Sequence, residues 1–155
     1  MTLLLLCFLI GVIAGLRAVT PPAAVCWGAY LGWLHFAGTS FGFIDHIVTL
    51  VIFTLLALGE IVNDKLPKTP ARTSIQGIIP RVLFGACSAA ALAVSAGGGL
   101  IVAAILGVIG ALAGTFGGYN VRHALVTKAN FPDLSVALVE DLVAIGGGLL
   151  IVSRL

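Results

Sequence analysis

Arg17, Glu60, Asp64, Arg81, Arg122, His123, Glu140 and Asp141 are the residues of this chain whose types and spacing can do chemistry. Each lies in or beside an apolar run, where a charge is costly and marks a functional candidate. Four carboxylates, three arginines and a histidine at one level can bind an ion, hold an anionic headgroup or relay protons. The same groups can also do no more than staple helices together, through pairs such as Arg17–Glu60 or Arg122–Glu140, or snorkel to nearby water. Glu60 and Asp64 stand four apart and share a helix face. Glu140 and Asp141 are adjacent and point about 100° apart, so one is expected to face inward and the other the rim. Glu60 and Glu140 lie deepest, which makes them the candidates for proton coupling.

A second kind of chemistry is offered by Gly15-Leu-Arg-Ala-Val-Thr-Pro-Pro-Ala-Ala-Val25. An arginine and a double proline interrupt an otherwise apolar start. Thr20 suits an N-cap and Pro21 the first helical position. The first free N–H groups are then expected at Ala23 to Val25. A helix N-terminus carries roughly half a positive charge and attracts anions, with Arg17 one turn away. Proline carries no N–H, so the double proline also reads as a kink that only shapes the fold. The candidate binding set is therefore Arg17, Thr20, Pro21, Pro22, Glu60, Asp64, Arg81, Arg122, Glu140 and Asp141.

The elements that must position these residues are set by composition. Of 155 residues, 60% are hydrophobic and only 9% charged, with a mean hydropathy of +1.19. Soluble domains carry roughly 25% charged residues, so the solvent here is lipid. At about 20 residues per crossing, the length allows an all-α, polytopic transmembrane bundle of five to six helices in one domain, residues 1–155. The expected helices are Thr2–Val19, Pro21 to about His35–Ala37, His46–Val62, Pro80–Ala96, Leu100–Leu125 and Val136–Val152. The first pair is broken at Thr20-Pro21-Pro22. The N-terminus lacks a basic region and a cleavage site, so it reads as a retained helix. Gly11 and Gly15, Gly28 and Gly32, and Gly110, Gly114 and Gly118 recur every four residues, the pattern of close helix packing. Trp27, Tyr30 and Trp33 read as interfacial anchors.

With six crossings, the end of the first helix, the 63–77 loop and the turn after Leu125 share one side. That side carries Arg17, Lys65, Lys68, Arg72, Arg81, Arg122 and Lys128; the other carries Arg154. The positive-inside rule then makes the 63–77 loop cytoplasmic and both termini external. If the first two helices instead form a re-entrant hairpin, the N-terminus moves inside. Residues 11–18 echo 107–114, and 57–60 echo 137–140, which would suit an inverted three-plus-three repeat of the transporter kind.

Other functions find no support in the residues. A net charge of +2, scattered along the chain, does not suit nucleic acid. Cys7, Cys26 and Cys87 lie in apolar runs without CxxC or metal-ligand spacing. No hydrolase, zincin, dinucleotide or phosphate-loop motif is present. His35, His46 and His123 fall in separate segments. No metal and no cofactor are expected, and enzymatic activity is disfavoured.

Gly15-Leu-Arg-Ala-Val-Thr-Pro-Pro-Ala, Asp64-Lys-Leu-Pro-Lys-Thr-Pro-Ala-Arg72, Gly117-Gly-Tyr-Asn-Val-Arg122 and Ala137-Leu-Val-Glu-Asp141 resemble a family of small bacterial integral membrane proteins known as a domain of unknown function. The resemblance covers nearly the whole chain. It implies a membrane location and several helices, and no activity. The functional expectation is a transporter or channel-like protein for an ion or small anionic solute, in the bacterial inner membrane and homo-oligomeric, with a charged cytoplasmic vestibule. The alternative is a binding module for lipid headgroups or a partner protein, with anionic lipid at Lys65, Lys68 and Arg72.

Overall fold

The structure, a computed structural model, describes residues 2–64 and 72–155. Lys65 and Lys68 lie outside the described residues. Within them the chain forms six α-helices and no strand: α1 Leu3–Leu16, α2 Thr20–Tyr30, α3 Ile47–Asn63, α4 Ile75–Ser95, α5 Leu100–Thr127 and α6 Asp133–Val152. Only α4, α5 and α6 are both long and apolar enough to cross a membrane. The 14 residues of α1 rise roughly 21 Å, short of a hydrocarbon core of about 30 Å.

Helix α6 starts at Asp133, three residues before the expected Val136, and α5 runs on to Thr127; three further boundaries differ from the sequence reading for a local reason. Helix α1 stops at Leu16, because Arg17 is already extended at φ −139°, ψ 116°. Helix α2 ends at Tyr30, since Gly32 takes φ +77° and Gly28 O accepts the N–H groups of Trp33 and Leu34 instead. A left-handed turn of that kind suits glycine. Gly28 and Gly32 are therefore not a packing face, and nothing stands within 4 Å of a Cβ placed on Gly32. Helix α4 begins five residues before Pro80, because the Ser74 hydroxyl caps it by accepting Gly77 N–H at 3.3 Å. Capping here outweighs the breaker signal of the proline.

Helix α1 is the centre of the bundle. It runs parallel to α5 and antiparallel to α4. Leu3 lies against Gly98, Gly11 against Gly107, and Gly15 against Ala111 to Thr115. A Cβ added at Gly110 would fall 2.2 Å from Phe8 O, and one at Gly114 2.2 Å from Val12 O. Only glycine lets two backbones meet so closely. The echo between residues 11–18 and 107–114 thus has a packing reason: both are small-residue faces, and they are the two sides of one contact.

Helix α2 is short, and the chain after it folds back into the bundle. Leu34 and Phe36 are fully buried there, Phe36 and Phe41 are in ring contact, and a single 3₁₀ turn covers Gly42–Asp45. Helix α3 buries only Leu50 and Ala57 and turns the rest of its apolar surface outward, as lipid solvation permits.

The helices alternate in direction. Leu3, Gly98 and Val152 stand toward one end, and Arg17, Glu60, Arg81, Arg122 and Asp133 toward the other. The start of α1 is therefore at the end opposite the break. That agrees with six alternating segments and not with a hairpin entering from the charged end.

Candidate functional site

The site is the break between α1 and α2, together with the charges that close it. A helix that stops leaves carbonyls unpaired, and one that starts leaves N–H groups unpaired. Here members of both sets find side chains of the fitting charge. On the carbonyl side, Gly15 O accepts from Arg81 Nε at 3.2 Å, while the Thr115 hydroxyl nearby donates to Ala111 O in its own helix at 2.7 Å. On the N–H side, Ala18 N donates to Glu60 Oε1 at 2.7 Å and Val19 N to Glu60 Oε2 at 2.9 Å. A cation at a helix C-terminus and an anion at a helix N-terminus both follow the macrodipole. Pro21 and Pro22 bring no N–H groups of their own, and one carboxylate takes the two that precede Thr20.

This corrects the expected anion site. Val19, and not Thr20, is the N-cap of α2, and Thr20 is its first residue. Ala23 N–H is not free, because it donates to Val19 O at 3.2 Å. The N–H groups of Ala18 and Val19 stand at the break instead, and the protein supplies their anion. Thr20, Pro21 and Pro22 are all buried. The Thr20 hydroxyl has no hydrogen-bond partner among the described residues.

Behind the break lies a network of ion pairs. Arg17 is fully buried, with Nη2 2.5 Å from Asp141 Oδ1 and Nη1 3.1 Å from Asp64 Oδ2. These are ion-pair distances, yet among the described residues none of its guanidinium nitrogens meets hydrogen-bond geometry. Arg17 is thus held by charge and enclosure rather than by an aligned fork. The expected Arg17–Glu60 pair does not form, because Glu60 is spent on the backbone. Arg122 does approach Glu140, at 3.6 Å, but its two-pronged partner is Asp133, at 2.8 Å through both Nε and Nη2. Glu140 is gripped on both oxygens by Arg72. Glu140 and Asp141 therefore both join the network, one meeting Arg72 and the other Arg17, instead of dividing between core and rim.

Asp64 is the hub. Its Oδ2 lies 3.1 Å from Arg17, 3.4 Å from Arg122 and 3.7 Å from Arg72. One carboxylate at the end of α3 so ties α1, α5 and the segment before α4 together. Arg81 adds a bond to Gly77 O at 2.6 Å within its own helix. Beside the network, Ala18, Glu60, Asn63, Asp64, Gln76, Gly77, Pro80 and Arg81 line a cavity of about 150 Å³.

All ten expected residues except Pro21 and Pro22, which act through the backbone, bring a polar side chain to this end. His123 does not join them; its ring stacks on Tyr119, centroids 6.0 Å apart. Sequence reasoning missed Arg72 and Asp133 as members. Arg72 was expected at a lipid surface, yet it is buried and paired. A signal for Asp133 existed: a turn as short as that between α5 and α6 must bring it near Arg122.

A family model matches residues 4–153. The chain belongs to the family Domain of unknown function (DUF4126). No curated protein and no solved structure matches it. Membership in DUF4126 thus covers both halves of the site, from Arg17 to Asp141, and leaves its chemistry to be argued from the geometry.

Proposed function

We propose that the protein is a small transporter or channel-like protein of the bacterial inner membrane, moving a proton or small cation through the charged end of the bundle. The observation that carries this reading is the polar cavity of about 150 Å³ at the break, lined by Glu60, Asp64, Asn63, Gln76 and Arg81, with the Arg81 guanidinium bonded to Gly15 O and Gly77 O. Its oxygen-rich wall suits a cation or a hydronium. An anionic solute is less well served, because the N–H groups of the break already hold Glu60. The arginines are also committed, since Arg17, Arg72 and Arg122 face Asp64, Asp133, Glu140 and Asp141. Of the two deep glutamates, Glu140 is locked by Arg72, and Glu60 borders the cavity beside Asp64.

The lysine and arginine excess at this end supports a cytoplasmic 63–77 loop. Three helices below full crossing length support association of several copies, which lets short segments share a thinned or covered path. Headgroup binding is the second reading. It loses Arg72, whose guanidinium is engaged with Glu140. The test is ion movement by the purified protein in sealed liposomes, with proton, sodium and potassium gradients imposed in turn. A protein-dependent flux of one of these supports transport. Liposomes as tight as protein-free ones for all three, combined with salt-sensitive retention on anionic vesicles, would favour headgroup binding.

A further inference from the structure

We infer that Glu60 is a proton-operated latch on the α1–α2 break, so that its charge state sets whether the break is closed. The inference deepens the transport reading and rests on it for its purpose, though not for its geometry. Both oxygens of the Glu60 carboxylate are used, one by Ala18 N–H and one by Val19 N–H, at 2.7 and 2.9 Å. The two donors are consecutive residues between two helices. Among the described residues their one acceptor is on another helix, forty-two and forty-one positions away. A carboxylate accepts at both oxygens, whereas a carboxylic acid keeps one good acceptor and turns the other oxygen into a donor. Proton binding therefore releases at least one of the two backbone groups.

The proton has a route. Glu60 is half-buried and borders the cavity of about 150 Å³, large enough for a few waters. The charged groups around the latch are named by element. From α1 comes Arg17, adjacent to Ala18 and paired with Asp64 and Asp141. From α3 comes Asp64, one turn on and lining the same cavity. From α4 comes Arg81, across the cavity, which holds Gly15 O. Arg72 and Arg122 stand behind Asp64, and Glu140 and Asp141 of α6 behind them. The first turn of α2, Thr20-Pro21-Pro22, brings no charge. Loss of the Glu60 charge thus acts on one joint, while the arginine–carboxylate pairs behind it keep the bundle together.

The experiment is amide hydrogen exchange of the full-length protein in phosphatidylcholine nanodiscs, corrected for intrinsic rates, across a pH series. Infrared absorption of the carboxyl groups is read on the same samples. Charge-assisted hydrogen bonds contribute enough that protection at Ala18 and Val19 should fall roughly tenfold or more as the Glu60 carboxyl band appears. In Glu60→Gln that band is absent, and protection at these amides should be low and unchanged by pH. Glu60→Asp, which keeps the charge, should restore pH dependence. Protected amides at a pH where the Glu60 carboxyl is protonated would overturn the inference, as would the same pH response in Glu60→Gln. Flux is scored separately: amide release without ion movement upholds the latch and defeats the transport reading, while flux with rigid amides does the reverse.

Discussion

The Glu60 carboxylate lies 2.7 Å from the backbone nitrogen of Ala18, forty-two positions away, and this contact turns a costly interruption into a capped joint. Removing it should be felt as lost stability. Glu60→Ala leaves the N–H groups of Ala18 and Val19 without an acceptor, at about 1–3 kcal/mol. Thermal unfolding in detergent should show a lower midpoint, and an unchanged midpoint would contradict the cap.

Arg17 should be worth more. It is fully buried between Asp64 and Asp141, and Arg17→Met takes the buried cation from both carboxylates, although Asp64 keeps Arg122 and Arg72 nearby. Breaking a buried pair in this way costs about 3–5 kcal/mol. Adding Asp141→Asn should recover part of that loss, because the charge that faced Arg17 is removed with it. A double variant as unstable as the sum of the singles would mean that the two residues do not interact.

Asp133 offers the contrast. Its pair with Arg122 has good two-pronged geometry, but its side chain is 60% exposed. Exposed pairs contribute about 0–1 kcal/mol. Asp133→Asn should therefore shift the midpoint little, and less still at high salt. A loss as large as that of Arg17→Met would show that the network acts as one unit.

The glycine contacts divide sharply. Gly110→Ala or Gly114→Ala must push α1 from α5, since the new carbon would meet the Phe8 or Val12 carbonyl oxygen at 2.2 Å. Overpacking of this kind costs about 1–3 kcal/mol. Gly117→Ala and Gly146→Ala meet nothing within 4 Å and should be neutral, or stabilising by up to about 1 kcal/mol through helix propensity. Unfolding midpoints of the four variants check the division.

Much of this arrangement is legible in the sequence, and the rest has a physical reason for staying hidden. Apolar runs and punctuating glycines give the helices and their alternation, because lipid leaves the backbone few other choices. Charge asymmetry places Arg17, Glu60, Arg122 and Asp141 at one end. Pairing is another matter. Arg17 is separated from Asp141 by more than a hundred positions, and nothing local says that it will meet Asp141 while Glu60 turns to the backbone. The start of α4 misleads for a different reason, since a serine cap at Ser74 and a proline at Pro80 send opposite local signals. The double proline was visible as a break. That its N–H groups are Ala18 and Val19 follows only once Arg17 is seen to be extended.

The central claim is that Glu60 is the ion-responsive group of the site, and proton flux through reconstituted liposomes tests it most directly. Wild-type protein should dissipate an imposed pH gradient. Glu60→Gln, folded to the same helical content, should not, and Asp133→Asn should behave as wild type. Equal flux in Glu60→Gln and wild type would contradict the account.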